Sequence, residues 1–117
     1  MGRRATVRFT GARPKYGNRK VRFYGMLFDS AKEAERYLEL LSWQKQGRIS
    51  DLERQIAFEL VPPQKDGKVR AVKYIADFVY KQDGKTVVED TKGYRTEVYR
   101  LKKKLMLWVH GIEIKEV

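Results

Sequence analysis

Apolar residues along the chain recur first at intervals of two, then of three and four, and the change of period marks the elements. Lys20-Val21-Arg22-Phe23-Tyr24 alternates charge and bulk before Gly25 turns the chain into Met26-Leu27-Phe28, which predicts a short hairpin. Asp29-Ser30 opens a helix, with Ser30 as N-cap and Glu33 at the spacing of a capping box. Ala34, Tyr37, Leu38 and Leu41 continue it at helical spacing, and Gly47 stops it. Leu52, Ile56, Phe58 and Leu60 return to even spacing until Pro62-Pro63. Val69 to Tyr80 and Lys85 to Lys92 are rich in β-branched and aromatic residues and flank Asp83-Gly84, a strong hairpin turn. Thr96 caps a second helix whose apolar stripe is Val98, Leu101, Leu105 and Trp108, ended by Gly111. Ile112 to Val117 alternates as a last strand. The order helix-strand-strand-strand-helix-strand, after a small hairpin, predicts an α/β domain with helices flanking one sheet.

The Asp83-Gly84 turn sets a register in which Asp77 and Asp90 lie directly opposite each other. Opposed residues have β-carbons ~5 Å apart, where like charges repel. Both acids share a face with Ile75, Val79 and Val88 in this reading, so the face is packed and the pair is costly. A proton on one acid, a nearby cation or a divalent metal each relieves it. Lys92 projects from the same face, so a metal between the acids and an ammonium beside them are compatible; an ion pair of Lys92 with either acid is the structural alternative. On a helical wheel Glu33 falls within the apolar arc, whereas Glu35 and Glu39 point to solvent. The capping box accounts for Glu33 by itself, and a metal within reach of the sheet would give it a second role.

Length and charge narrow the classes. At 117 residues the chain holds one small domain, taken as residues 20–117 behind a basic arm at 1–19. With no cysteine, disulfides, zinc knuckles and thiol catalysis are excluded, and the single His110 excludes multi-histidine metal sites. Any metal must be held by carboxylates, which favours Mg²⁺ or Mn²⁺. Of the net charge of +11, seven units come from Arg3, Arg4, Arg8, Arg13, Lys15, Arg19 and Lys20, in a stretch with no acid. Such an arm suits a polyanion, since neutralising phosphates releases counterions, although a solvated tail has the same composition. Met1-Gly2 with Thr6 is a weak match to a myristoylation pattern, and no apolar run reaches membrane-spanning length, so a soluble intracellular protein without a membrane partner is expected.

Asp77, the Asp90-Thr91-Lys92 triplet on the next strand and the upstream helical Glu33 resemble the PD-(D/E)XK nuclease signature, and the element order is similar to that superfamily's core. Lys15-Tyr16-Gly17-Asn18, Phe28-Asp29-Ser30 with Glu33-Ala34, Tyr74-Ile75-Ala76-Asp77-Phe78 and Val88-Glu89-Asp90-Thr91-Lys92-Gly93 resemble, more closely, a family of small phage proteins described as nucleases or as of unknown function. Ala76 stands where the superfamily's name has Pro. Within that superfamily the chain resembles phage endonuclease I and other Holliday-junction resolvases. The resemblance implies a restriction-endonuclease-like fold and a Mg²⁺-dependent endodeoxyribonuclease, with Mn²⁺ as substitute. It implies Asp77, Asp90, the Thr91 carbonyl and Glu33 as metal ligands, with Lys92 orienting water or neutralising charge.

Gln55, on the strand after the first helix, is a candidate to support a ligand from behind, and Glu89 is set aside as facing the other way. Arg95, Arg100, Lys103 and Lys104, on and before the outer side of the second helix, join the arm as phosphate contacts, and Lys102 is placed nearer the site. Tyr94 and Tyr99 are assigned to the core, and His110 to the C-terminus of its helix. A resolvase-like enzyme acting on branched DNA is expected to be a homodimer. The competing readings are a non-catalytic basic nucleic-acid-binding module and an interaction factor of a phage replication complex.

Overall fold

A computed structural model describes residues 19–91 and 94–117. The first two strands, β1 (Val21–Phe23) and β2 (Met26–Phe28), pair antiparallel around Tyr24-Gly25. Both turn residues have positive φ (54° and 73°), the backbone twist that suits a two-residue hairpin loop. Helix α1 (Ala31–Lys45) starts where expected, with Ser30 Oγ accepting from the Glu33 amide at 3.1 Å. It ends as the Gly47 amide donates to the Gln44 carbonyl and Arg48 to Trp43, the paired bonds that close a helix around a left-handed glycine.

Four further strands form one mixed sheet in the order β3 (Ser50–Val61), β4 (Val72–Gln82), β5 (Lys85–Asp90), β6 (Lys115–Glu116). The first two pairings are antiparallel and the last is parallel. Asp83-Gly84 makes the tight turn, and Gln82 to Phe78 pair with Lys85 to Glu89 in the register read from the sequence. Val69 falls outside β4, in a single bridge to Gln64, and the last strand is shorter than the expected Ile112–Val117.

Two cores flank the sheet. Leu40 and Ile49 pack with Phe78 and Tyr80 on the α1 side. Tyr74, Ala76 and Val88 pack with Leu60, Tyr99, Met106 and Ile114 on the other. Ala76 and Phe78 are two residues apart and both fully buried, yet they belong to different cores. The side-chain alternation of β4 is therefore broken at Asp77. Its neighbour across the ladder, Gln55 of β3, has φ 53°, and the ladder pairs Arg54 and Ile56 but not Gln55. The face expected to unite Ile75, Asp77 and Val79 does not persist through this break, and Ile75 is 55% exposed.

Across β5, the side chain of Glu89 is fully buried and taken by Arg36 of α1 through two bonds, at 2.8 and 2.7 Å, with the Tyr80 hydroxyl as a third donor. This clamp fixes α1 over the sheet. On the opposite side α2 (Glu97–Leu105) is capped by Thr96 and widens into a π-helical stretch (Met106–His110) ending at Gly111. Its inward residues are Tyr99 and Met106. Tyr99 and Lys103 both donate to Glu116 of β6, at 2.8 and 3.1 Å, and these polar anchors set the rotation of the helix. The stripe of Val98, Leu101 and Trp108 is consequently exposed, with only Leu105 of the expected set packed against the core. No helix among the described residues is long and apolar enough to cross a membrane.

Candidate metal centre

The start of α1 and the break in β4 bring three carboxylates together. Glu33, only 1% exposed, leans out past the end of its helix. The capping box closes on one side only: instead of returning to Ser30, Glu33 Oε1 accepts from the Asp29 amide at 3.0 Å. Glu33 Oε2 accepts from Gln55 Nε2 at 3.0 Å, and the Arg54 guanidinium stands 3.9 Å away. Asp77 Oδ2 accepts from both the amide and the hydroxyl of Thr91, each at 2.8 Å. One oxygen from each of Asp29, Glu33 and Asp77 lies within 4.8 Å of the others. The set runs from exposed Asp29 through half-buried Asp77 to buried Glu33, so it opens to solvent at one end.

Bringing these acids together has an electrostatic consequence. Burial, and then the charge of Asp77, push the Glu33 carboxyl from an ordinary 4.5 up to about 7; the Asp29 amide and Arg54 act the other way. The folded chain thus holds this proton more tightly than the unfolded chain. Stability of the metal-free protein is expected to fall as pH rises from about 4.5 to 7, by about 3 kcal/mol, and to level off above. Denaturant titrations in EDTA at pH 5, 6 and 8 measure the slope, and Glu33→Gln should abolish it.

The donors suit a hard cation: all are carboxylate oxygens, and they lie within 4.8 Å of one another, near enough for one ion to draw them together. Asp90 is not one of the three. It is buried on the α2 side of the sheet, where Oδ2 accepts from the Tyr74 hydroxyl at 2.5 Å. Burial and this bond raise the Tyr74 phenol above its ordinary range, so it stays a donor at neutral pH. The expectation of Asp77 and Asp90 sharing one packed face is corrected by the break at Asp77. The ladder stops at Phe78–Glu89, one step short of the two acids, and Asp77 joins Glu33 instead. Thr91 links the two sites, since it follows Asp90 and donates twice to Asp77. Lys92 lies outside the described residues.

Residues 13–115 match the family described as "Protein of unknown function (DUF1064)". The chain belongs to that family. No curated protein and no solved structure is detectably similar to it.

Two features of this DUF1064 member escape a reading of periodicity. Asp29 reads as a helix-opening residue, and only its place beside the N-cap, one turn before Glu33, hints at more. Gln55 was expected to support a ligand, and its amide does hold Glu33, but its left-handed backbone has no sequence signal. A non-glycine residue in that region costs on the order of 1 kcal/mol and persists where surrounding contacts impose it. Gln55→Gly is expected to leave the melting temperature within about 3 °C of wild type, strain relief offsetting the lost bond. If the three carboxylates hold Mn²⁺, the same substitution should weaken its binding several-fold, as calorimetry would register.

The cations expected on DNA are placed unevenly. Arg3, Arg4, Arg8, Arg13 and Lys15 lie outside the described residues. Arg19 is exposed, and Lys20 pairs with Asp29 at 2.8 Å. Arg95 and Lys103 both bind Glu116, and the Arg95 bond in particular holds that carboxyl down to about 2. Lys103 is part-exposed, its ammonium engaged by that carboxylate. Arg100 and Lys104 are exposed, while Lys102 lines an open groove with Ile75, Val98 and Tyr99. Tyr99 packs in the core as expected, but Tyr94 is exposed. His110 Nε2 lies 2.8 Å from the Glu59 carbonyl, tying the π-helical stretch to β3.

Proposed function

We propose that this DUF1064 chain is a Mg²⁺-dependent endodeoxyribonuclease of the PD-(D/E)XK kind, with a restriction-endonuclease-like core and a preference for branched DNA. The observation that carries the reading is the buried Glu33 carboxylate drawn against Asp77 and Asp29, one residue link away from the Asp90-Thr91-Lys92 motif. Asp77, Glu33 and Asp29 would hold the ion, with the Thr91 carbonyl and Asp90 beside them. A bound ion supplies polarisation of the scissile phosphate and a more acidic water.

The chain's own residues prepare that chemistry. Gln55 fixes the rotamer of Glu33, and Thr91 fixes that of Asp77, so both carboxylates are oriented before substrate arrives. Lys92, next along the chain, offers an ammonium to neutralise charge as it develops. Arg100, Lys104 and the cations of residues 1–20 would bind phosphates without reading sequence.

The test offers junction, flap, duplex and single-stranded DNA to the purified chain with Mg²⁺, Mn²⁺ or EDTA. Metal-dependent cutting, fastest on the junction, is the expected result. A second reading, a basic binding module whose acids are structural, draws on the Asp90–Tyr74 bond. Binding to every substrate without cutting any would favour it.

A further inference from the structure

The turn of the first hairpin carries a tyrosine where a small residue is usual. Tyr24 has φ 54°, a region that glycine, asparagine and aspartate enter readily and that makes a bulky residue an outlier. Strained residues of this kind cluster at ligand clamps and other functional sites. The ring is not buried in return: Tyr24 is 69% exposed, steadied by Phe23 with ring centroids 4.5 Å apart. It forms one wall of an open groove of about 570 Å³, completed by Leu38, Leu41, Ser42, Gln44 and Lys45 of α1. We propose that this groove takes an unpaired nucleobase, so that the chain binds single-stranded DNA at the hairpin tip.

Three observations select that occupant. An exposed aromatic ring beside two leucines offers a stacking surface that every base can use. The only charged residue of the lining is Lys45, and Arg19 and Arg22 are exposed just before and on the same hairpin. None of these three cations is in an ion pair with another described residue. The lining also has donors to spare. Gln44 gives its side-chain oxygen to the Leu52 amide at 2.9 Å, which leaves its NH₂ group to donate. The Ser42 hydroxyl accepts from Gln46 at 3.0 Å and keeps its own proton to give. Such donors suit the carbonyl oxygens and ring nitrogens of a base edge. An apolar peptide would leave the cations unused, and an acidic one the ring. A second copy is a poor occupant, because two-fold pairing sets groove against groove.

The inference rests on the nuclease reading for its choice of partner, and it deepens that reading. Tyr24 and Asp29 are five residues apart along the chain, hence at most ~17 Å. A strand held at the three carboxylates would reach the tip within a few nucleotides. Branched DNA offers unpaired bases near the cut and intact duplex does not, which gives the preference for branches a physical source.

The test measures binding by the full chain in EDTA, where metal-dependent cutting is silent. Fluorescence anisotropy with a labelled oligothymidine of about 12 nucleotides should show Tyr24→Ala weakened by about tenfold or more and Tyr24→Trp at least as tight as wild type. Binding to a duplex of the same length should change by less than about twofold in either variant. A strand of abasic sites, which keeps the phosphates and lacks the bases, should bind wild type and Tyr24→Ala alike. Leu38→Glu, a second lesion in the groove at an exposed helix position, should weaken oligothymidine binding as much as Tyr24→Ala. Melting temperatures of all three variants should stay within about 3 °C of wild type. No binding of oligothymidine by wild type, binding indifferent to both groove lesions, equal losses for duplex and abasic strand, or displacement by polyglutamate as readily as by oligothymidine would overturn the inference. A chain that never cuts, yet loses the single strand selectively in Tyr24→Ala, would sustain the inference and sink the nuclease. Cutting by a chain whose strand binding ignores Tyr24→Ala would do the reverse.

Discussion

Asp77→Asn is expected to lower metal-dependent cleavage by on the order of 10³-fold while leaving the fold intact and, in EDTA at pH 8, more stable than wild type. On the proposed nuclease reading, the loss follows from withdrawing one of three carboxylates that would hold the ion; a factor of 10³ is about 4 kcal/mol of transition-state stabilisation, within what a well-placed charge contributes. The gain in stability follows from Glu33. The charge of Asp77 is the second cause, after burial, of the raised Glu33 carboxyl, so neutralising Asp77 brings Glu33 part of the way back toward 4.5 and removes repulsion from the metal-free fold. The Asn carbonyl still accepts from Thr91, which Asp77→Ala would leave unmet at a cost of about 1–3 kcal/mol. Single-turnover rates and EDTA melting curves on the same samples separate the two effects. A variant that is inactive and also less stable would mean that Asp77 serves the fold alone.

The second large effect belongs to the Arg36–Glu89–Tyr80 clamp. Arg36→Met is expected to destabilise by about 3–5 kcal/mol, because it strands a fully buried Glu89 carboxylate with the Tyr80 hydroxyl as its nearest donor and Lys115 3.9 Å away. At roughly 4 °C per kcal/mol for a domain of this size, the midpoint should fall by about 12–20 °C. Arg36→Lys should recover little, since a lysine cannot reproduce the two parallel bonds or the guanidinium stacked 4.7 Å over the Trp43 ring. Replacing all three residues together, with Arg36→Leu, Glu89→Leu and Tyr80→Phe, should recover most of the loss, because no buried polar group is then left alone. Thermal melts of the three variants test this ranking.

Local rules carried the elements well. Ser30 and Thr96 cap their helices, Gly47 and Gly111 end them, and Asp83-Gly84 fixes the β4–β5 register, because each acts over a few residues of its own chain. Glu33 also faces the sheet, as the wheel at 3.6 residues per turn requires. What escaped was set at a distance. The assumption that alternation continues along β4 failed at Asp77, where a left-handed Gln55 on the neighbouring strand interrupts the pairing. That break brings Asp77 beside Asp29 and Glu33 at the start of α1, while Asp90 bonds Tyr74. The rotation of α2 was equally hidden: an apolar stripe normally turns inward, and here Glu116, holding Tyr99 and Lys103, outweighs it.

The proposed metal seat of Glu33, Asp77 and Asp29 is tested most directly by calorimetric titration of Mn²⁺ into the wild-type chain and Glu33→Gln at pH 6 and pH 8. Because the ion must displace the proton that Glu33 holds up to about 7, wild type should bind one equivalent or more, tighter at pH 8, with proton uptake by the buffer at pH 6. Glu33→Gln should bind at least about tenfold more weakly, with that proton release gone. Equal Mn²⁺ affinity in both proteins, or no binding by wild type at either pH, would contradict the account.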